Sequence, residues 1–330
     1  MTRPHGSVGR ILIVALDNLG DLVFASALAP PLHAAFPTAT IDVWCKDYTA
    51  PIAPLIPFVS DVIAADPFWA VPPHRPRPPM RPFLHSVAAV RERHYDIAIL
   101  TGAPWRTAAA VAASGIPIRV GLTRHHNSHF LTHALPAEDP RKPVLQEQAR
   151  LLGALAIRSE NPRYKLDPTR LHSAASNLTD RLPPFVALHP FAADTRRCVA
   201  LDEWLHVARA LDVRGIPTLW IGTTGELDRL RATRGTTPGY FIDTLGDGSL
   251  TSTAAALSVA MLFVGHDSGP LHLANAFGVP VVGVFAPGQP ERTFPQGVGP
   301  SRLLYKPSPA EIDAEQMLRE IDQLLVSSAQ

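Results

Sequence analysis

Short apolar runs, each ended by small or polar residues, recur along the chain. The first is Ile11-Leu-Ile-Val-Ala-Leu16, the length of a strand buried on both faces of a parallel sheet. Asp17-Asn-Leu-Gly-Asp21 then turns the chain. Leu22 to Phe36 has helical apolar spacing, with Pro30 and Pro31 expected to kink or break it. Thr40 to Trp44 reads as the next strand. Strand, helix and strand in that order predict a parallel, doubly wound sheet. The same reading puts strands at Asp61–Ala65, Asp96–Leu100 and Ile118–Leu122, and helices at Phe83–Arg93, Trp105–Ala113 and Pro143–Ile157. Residues 69–82, rich in Pro and Arg, fit neither helix nor central strand.

Residues 161–176 are polar and Pro-containing and read as an interdomain linker. A second sheet follows, with strands at Pro184–His189, Ile216–Gly222, Met261–Val264 and Val281–Phe285. Between the last two lies the turn Gly265-His-Asp-Ser-Gly269. A helix then opens at Pro270, shares Leu271, Leu273, Ala274 and Phe277 on one face, and stops at Gly278. Pro309 to Val326 reads as a closing amphipathic helix. The expectation is two Rossmann-like α/β domains, residues 1–165 and 166–330, facing across a cleft, with the final helix able to cross back.

A length of 330 residues and 46% hydrophobic content suit two such cores. A net charge of +1 gives no case for nucleic acid. Cys45 and Cys198 form no disulfide framework and show no metal-ligand spacing, as in a reduced, cytoplasmic protein. The first apolar run is too short for a signal segment, and no apolar stretch reaches 18 residues. The run of His125, His126, His129 and His133 lacks the carboxylates that accompany metal sites, so no metal is expected.

The turn at Gly265–Gly269 puts small residues and backbone N–H groups at a helix N-terminus, a geometry that binds phosphate. Asp267 would repel phosphate and is better placed on a neighbouring N–H or on ligand hydroxyls. An ordinary crossover with an Asp/Ser cap fits the spacing equally well. Glu226, after the turn Thr223-Thr-Gly225, suits ribose hydroxyls or a helix N-terminus.

Two stretches carry a resemblance. Asp267-Ser-Gly-Pro-Leu-His-Leu-Ala-Asn-Ala-Phe-Gly-Val-Pro-Val-Val282, followed by Phe285-Ala-Pro-Gly-Gln-Pro290, resembles the C-terminal signature of glycosyltransferase family 9, the lipopolysaccharide heptosyltransferases of GT-B fold. Asn275, Ala286 and Gly288 depart from its pattern. Ile11-Leu-Ile-Val-Ala-Leu-Asp-Asn-Leu-Gly-Asp-Leu-Val23 and Ala35-Phe-Pro37 resemble its opening.

The resemblance implies an inverting, metal-independent transferase without cofactor. Its donor would be ADP-L-glycero-D-manno-heptose and its acceptor a lipopolysaccharide core at the inner membrane, implying peripheral membrane contact. Asp21 takes the place of the family's proposed catalytic base. Arg197 falls at its phosphate-binding Lys, with Arg196 and Thr195 beside it, but Val199-Ala200 replaces a Trp-Pro pair. Glu226 matches the ribose-binding Glu, and Gly248 lies in the loop that runs along the base. Asp267, Ser268, Gly269 and His272 complete the donor side, while Asn18, Gly20, Arg75, Arg77 and Arg124 are acceptor-side candidates. Another sugar nucleotide, a non-lipopolysaccharide acceptor, or a silent nucleotide-sugar-binding protein remain open alternatives.

Overall fold

The computed structural model describes residues 8–70, 77–102, 104–124, 126–137, 139–233, 238–245 and 247–328. The chain divides into two compact units, residues 1–164 and 165–330.

The first unit runs β1 (Arg10–Ala15), α1 (Leu19–Ala25), α2 (Ala29–Ala35), β2 (Thr40–Cys45), β3 (Val59–Ala64), α3 (Met80–Glu92), β4 (Ile97–Leu100), α4 (Trp105–Ala113), β5 (Ile118–Leu122), β6 (His133–Leu135) and α5 (Val144–Gly153). All its strands are parallel, in the order β3-β2-β1-β4-β5-β6. Sheet growth therefore reverses between β1 and β4. Ile11 to Val14 are fully buried, as an apolar strand covered on both faces must be. On one face Trp44 stacks on Phe83 of α3 at 5.4 Å, and Trp69 meets Phe83 edge-on at 4.7 Å. The predicted helix from Leu22 breaks as expected. A 3-10 turn at Ser26–Leu28 joins α1 to α2, and Pro30 and Pro31 sit in the first turn of α2, where a missing N–H costs nothing.

The second unit runs α6 (His172–Thr179), β7 (Val186–His189), α7 (Leu201–Val213), β8 (Thr218–Trp220), α8 (Thr224–Arg231), β9 (Tyr240–Phe241), α9 (Ile242–Leu245), α10 (Leu250–Ser258), β10 (Leu262–His266), α11 (Gly269–Ala276), β11 (Val281–Phe285), α12 (Pro290–Thr293), β12 (Ser301–Tyr305) and α13 (Ala314–Ser328). Its sheet is also wholly parallel, in the order β12-β11-β10-β7-β8-β9, and reverses between β7 and β10. α13 packs on α7 and on β10, β11 and β12 of its own unit.

α11 ends as its glycine requires. Gly278 has φ +91°, Val279 N–H reaches Ala274 O at 3.2 Å, and Gly278 N–H reaches Asn275 O at 3.2 Å, closing a Schellman motif. Asn275, where the resemblance expects Ala, is fully buried and employed. Its Nδ2 donates to Gly299 O at 2.8 Å, and its Oδ1 accepts from Gly297 N–H at 2.6 Å. It thereby fixes the chain entering β12.

The expected linker at 161–176 is corrected in part. Pro168–Leu171 is a 3-10 turn that runs into α6, with Asp167 accepting Thr169 N–H at 3.0 Å. Asp-Pro here starts a helix rather than a loop.

Gly265 and Gly283 lie in register on β10 and β11. A Cβ on Gly265 would meet the Phe263 ring at 2.6 Å, and one on Gly283 would meet the Phe285 ring at 2.8 Å. Two buried rings therefore fold over two bare backbones. A Gly265→Ala protein is expected to lose about 1–3 kcal/mol from this overpacking. The measurement is a lowered urea midpoint at unchanged slope; an unchanged midpoint would mean that the ring yields without cost.

Candidate active site

In open parallel sheets, ligands gather beyond the carboxyl ends of strands where the strand order reverses. The chemistry-bearing residues of each unit fall at that place.

In the first unit Asn18 caps α1, and its N–H donates to Asp21 Oδ2 at 2.9 Å. Gly20 lies in the same first turn. Tyr48 OH accepts Leu19 N–H at 2.9 Å, and burial pushes the phenol up to about 12. Asp17, one turn before Asp21, is a residue the motif reading passed over. Burial raises its carboxyl first and the charge of Asp21 second, against lowering by Lys46 and Arg124. Its Oδ2 lies 2.0 Å from where a Cβ on Gly102 would stand, so only glycine fits beside it. Asp17, Asp21, Lys46 and Arg124 thus act on one another at the ends of β1, β2 and β5. Arg124 also pairs with the buried Glu147 at 2.7 Å. Arg77 stands apart and exposed in the segment before α3. Arg75 and His125 lie outside the described residues.

In the second unit Asp267 ties together the segments that follow β7, β10 and β11. Its Oδ2 accepts from Arg197 Nη2 at 2.7 Å and Thr293 Oγ1 at 3.0 Å, while Oδ1 lies 3.4 Å from His272 Nε2. Arg197 Nε also donates to Pro287 O at 3.0 Å. Burial raises the Asp267 carboxyl, but His272 and Arg197 together outweigh it and hold it below 3.8. Beyond the neighbouring N–H or ligand hydroxyl expected for it, Asp267 thus has side-chain partners, and its cation neighbour comes from another loop.

His266, at the buried end of β10, was not among the sequence candidates. Burial lowers it to about 4, so the ring is neutral. Its Nε2 accepts Val199 N–H at 3.1 Å and its Nδ1 faces Val284 O at 3.2 Å, which puts the proton on Nδ1. Its ring meets Trp204 edge-on at 5.3 Å. His266 so holds the Arg197 segment against the sheet, using the backbone of Val199, which stands where the family pattern has Trp. His189 likewise donates Nδ1–H to Ile221 O at 2.8 Å, tying β7 to the end of β8.

Ser268 occupies the N-cap of α11 but turns its hydroxyl onto His266 O at 3.0 Å, leaving the first turn, opened by Gly269, without a side-chain cap. The arginine pair divides. Arg197 is half-buried at this turn, whereas Arg196 is exposed and pairs with Asp194 at 2.8 Å. Thr195 is exposed beside them. Glu226 Oε2 accepts both Thr223 N–H at 2.8 Å and Thr223 Oγ1 at 2.9 Å, a capping box that opens α8. Gly248 needs glycine for its φ of +69° and precedes Ser249, the cap of α10. Among the described residues no group of three or more His, Cys, Asp or Glu is placed to hold a metal.

Two wholly parallel doubly wound sheets, each with charged side chains at its reversal point, define a two-domain α/β protein of the GT-B fold class. The family model for glycosyltransferase family 9 (heptosyltransferase) matches residues 84–307. The chain belongs to that family and is a glycosyltransferase. It is 21% identical over 306 residues to lipopolysaccharide heptosyltransferase 2 of Escherichia coli K12, covering 87% of this chain and 85% of that one. Its fold matches the glycosyltransferase of family 9 from Veillonella parvula, with a TM-score of 0.82 at 18% identity, over 98% of this chain and 99% of that one. The Escherichia coli ADP-heptose lipopolysaccharide heptosyltransferase II gives a TM-score of 0.80 at 18% identity, over 97% and 100%.

The lowered carboxyl of Asp267 has a pH consequence. A folded-state value below 3.8 adds stability that is present above 3.8 and lost as pH falls through the folded value. An Asp267→Asn protein is expected to be about 1–3 kcal/mol less stable near neutrality. Thermal unfolding from pH 7 down to about pH 2 should show the gap to the parent closing in acid. A gap that stays constant would remove Asp267 from the acid response.

Proposed function

We propose that the protein transfers a heptose from ADP-L-glycero-D-manno-heptose to a lipopolysaccharide core acceptor, with inversion and without a metal or cofactor. The observation that carries this reading is Arg197, held by Asp267 and Pro287 O beside the uncapped first turn of α11. A guanidinium and helix N–H groups together receive a diphosphate. The names of the relatives supply the sugar, the base and the acceptor.

The reaction is a single displacement. The acceptor oxygen bonds the anomeric carbon as the bond from that carbon to the phosphate oxygen breaks. The electron pair leaves on ADP, where Arg197 and the amides near Ser268 and Gly269 meet its charge. The acceptor proton passes to Asp21, whose place in the first turn of α1 is fixed by Asn18 N–H. The work is cytoplasmic, at the inner membrane. A second reading keeps the chemistry and changes the donor or the acceptor. Val199-Ala200 favours it, since the segment that carries Arg197 is here anchored through His266.

Thermal unfolding with ADP, UDP, GDP and dTDP decides the donor. A nucleotide at 100 times its dissociation constant adds about 2.7 kcal/mol of stability. Selective stabilisation by ADP is expected; stabilisation by a different nucleotide alone would discard the ADP donor. An Asp21→Ala protein is expected to keep the ADP response and lose about 10²–10⁴-fold in turnover. Turnover retained by that variant would remove Asp21 as the base.

A further inference from the structure

The loop after β2 brings one further side chain to the proposed base. Lys46-Asp-Tyr-Thr49 follows β2, the strand beside β1. Asp47–Thr49 is a 3-10 turn. Thr49 is fully buried, and its N–H and Oγ1 both donate to Lys46 O, at 3.1 and 3.0 Å. Asp47 N–H donates to Asp66 Oδ1 at 3.2 Å, which ties the turn to the loop after β3. The backbone on either side of Tyr48 is therefore fastened.

Tyr48 reaches from this turn to the start of α1. Its hydroxyl oxygen accepts the N–H of Leu19, the first residue of α1, and Asp21 is the third. A phenol that accepts can still donate. Among the described residues no oxygen or nitrogen takes the hydroxyl proton of Tyr48. Its ring is 43% exposed. Burial first, then the charges of Asp21, Asp66 and Asp17, outweigh the Leu19 N–H and hold the phenol at about 12, so it stays protonated near neutrality. A fixed hydroxyl that keeps its proton, and spends it on nothing, is an open donor beside the proposed base.

We propose that Tyr48 binds the acceptor: its hydroxyl donates to a sugar hydroxyl oxygen next to the one that reacts, and its exposed ring face lies against the C–H face of a neutral pyranose. A ring with a polar tip suits a ligand that is apolar across its face and hydroxylated at its edge. Charge narrows the class further. Asp17, Asp21 and Asp66 all act on Tyr48, so a carboxylate or phosphate brought to it would meet three like charges. Lys46 and Arg124 offset part of this at Asp17, but Arg124 is shared with Glu147. The inference deepens the proposed function and rests on it for the role of Asp21.

The test is saturation-transfer NMR of the full chain with methyl mannopyranoside, methyl glucopyranoside and their monodeoxy forms as probes. Tyr48→Phe, which keeps the ring, should bind the preferred glycoside about 3–10-fold more weakly than the parent. One monodeoxy form should lose a similar factor on the parent and bind both proteins alike, a coupling that a purely structural role does not produce. Tyr48→Ala, which also lacks the ring, should bind more weakly than Tyr48→Phe. Methyl glucuronide, a glucoside with a carboxylate, should bind the parent less well than methyl glucopyranoside. The proposal is overturned if the parent binds no probe, if Tyr48→Phe binds as the parent does, if every deoxy form preserves the difference between the two proteins, or if the glucuronide is preferred. The thermal response to ADP separates this inference from the donor reading. ADP stabilisation without sugar binding removes the role of Tyr48 and leaves the donor. Sugar binding coupled to Tyr48 without ADP stabilisation keeps Tyr48 and discards the donor.

Discussion

The Asp267 carboxylate accepts hydrogen bonds from Arg197 and Thr293 and lies against His272. These partners come from three stretches of chain that are far apart in sequence and meet only because β7, β10 and β11 are neighbours. The anion is mostly withdrawn from water, so it depends on those partners, and they depend on it. Removing any one leaves a charge or a polar group without its match. The position of Arg197, and with it the phosphate chemistry proposed for the second unit, follows from this knot. His266 reinforces it without adding charge, because a neutral ring can accept from Val199 and donate to Val284 at once.

The first unit solves a different problem. There two carboxylates, Asp17 and Asp21, stand close enough that the charge of one raises the other. Lys46 and Arg124 temper the repulsion, and Arg124 is itself divided between this cluster and Glu147. Asp21 has a fixed orientation from Asn18 N–H, whereas Asp17 presses on the bare backbone of Gly102. One unit therefore holds a carboxylate quiet inside a web of donors, and the other keeps carboxylates in mutual tension. The base and the phosphate-binding frame proposed for the two units would make those opposite demands.

Much of this was legible in the residues. The buried strands announce themselves because both faces are covered and their runs are uninterrupted, and the stop at Gly278 follows from backbone sterics alone. β6, β9 and β12 escaped because they are edge strands with partly exposed residues, whose apolar runs span at most three positions. The turn at Asp267 was readable as a phosphate-type turn, but its link to Arg197 was not, since no local pattern reports a contact 70 positions away. Glu226 and Thr223 show the converse. Their spacing is a capping box, and in this structure the carboxylate is used that way. His266 was hidden in plain view: a titratable residue closing an apolar strand reads as polar turn until burial shows it neutral.

The paired glycines of β10 and β11, each lying under a phenylalanine ring, carry an evolutionary consequence. A side chain at Gly265 has no room while Phe263 keeps its ring, and a smaller residue at Phe263 opens a void while Gly265 stays bare. Each change is harmful first and tolerable only after the other. The four positions are therefore epistatic, and a lineage can leave this arrangement only through a less stable intermediate. The strand that presents His266 and Asp267 inherits that immobility, which shields the edge of the site from drift in the sheet beneath it.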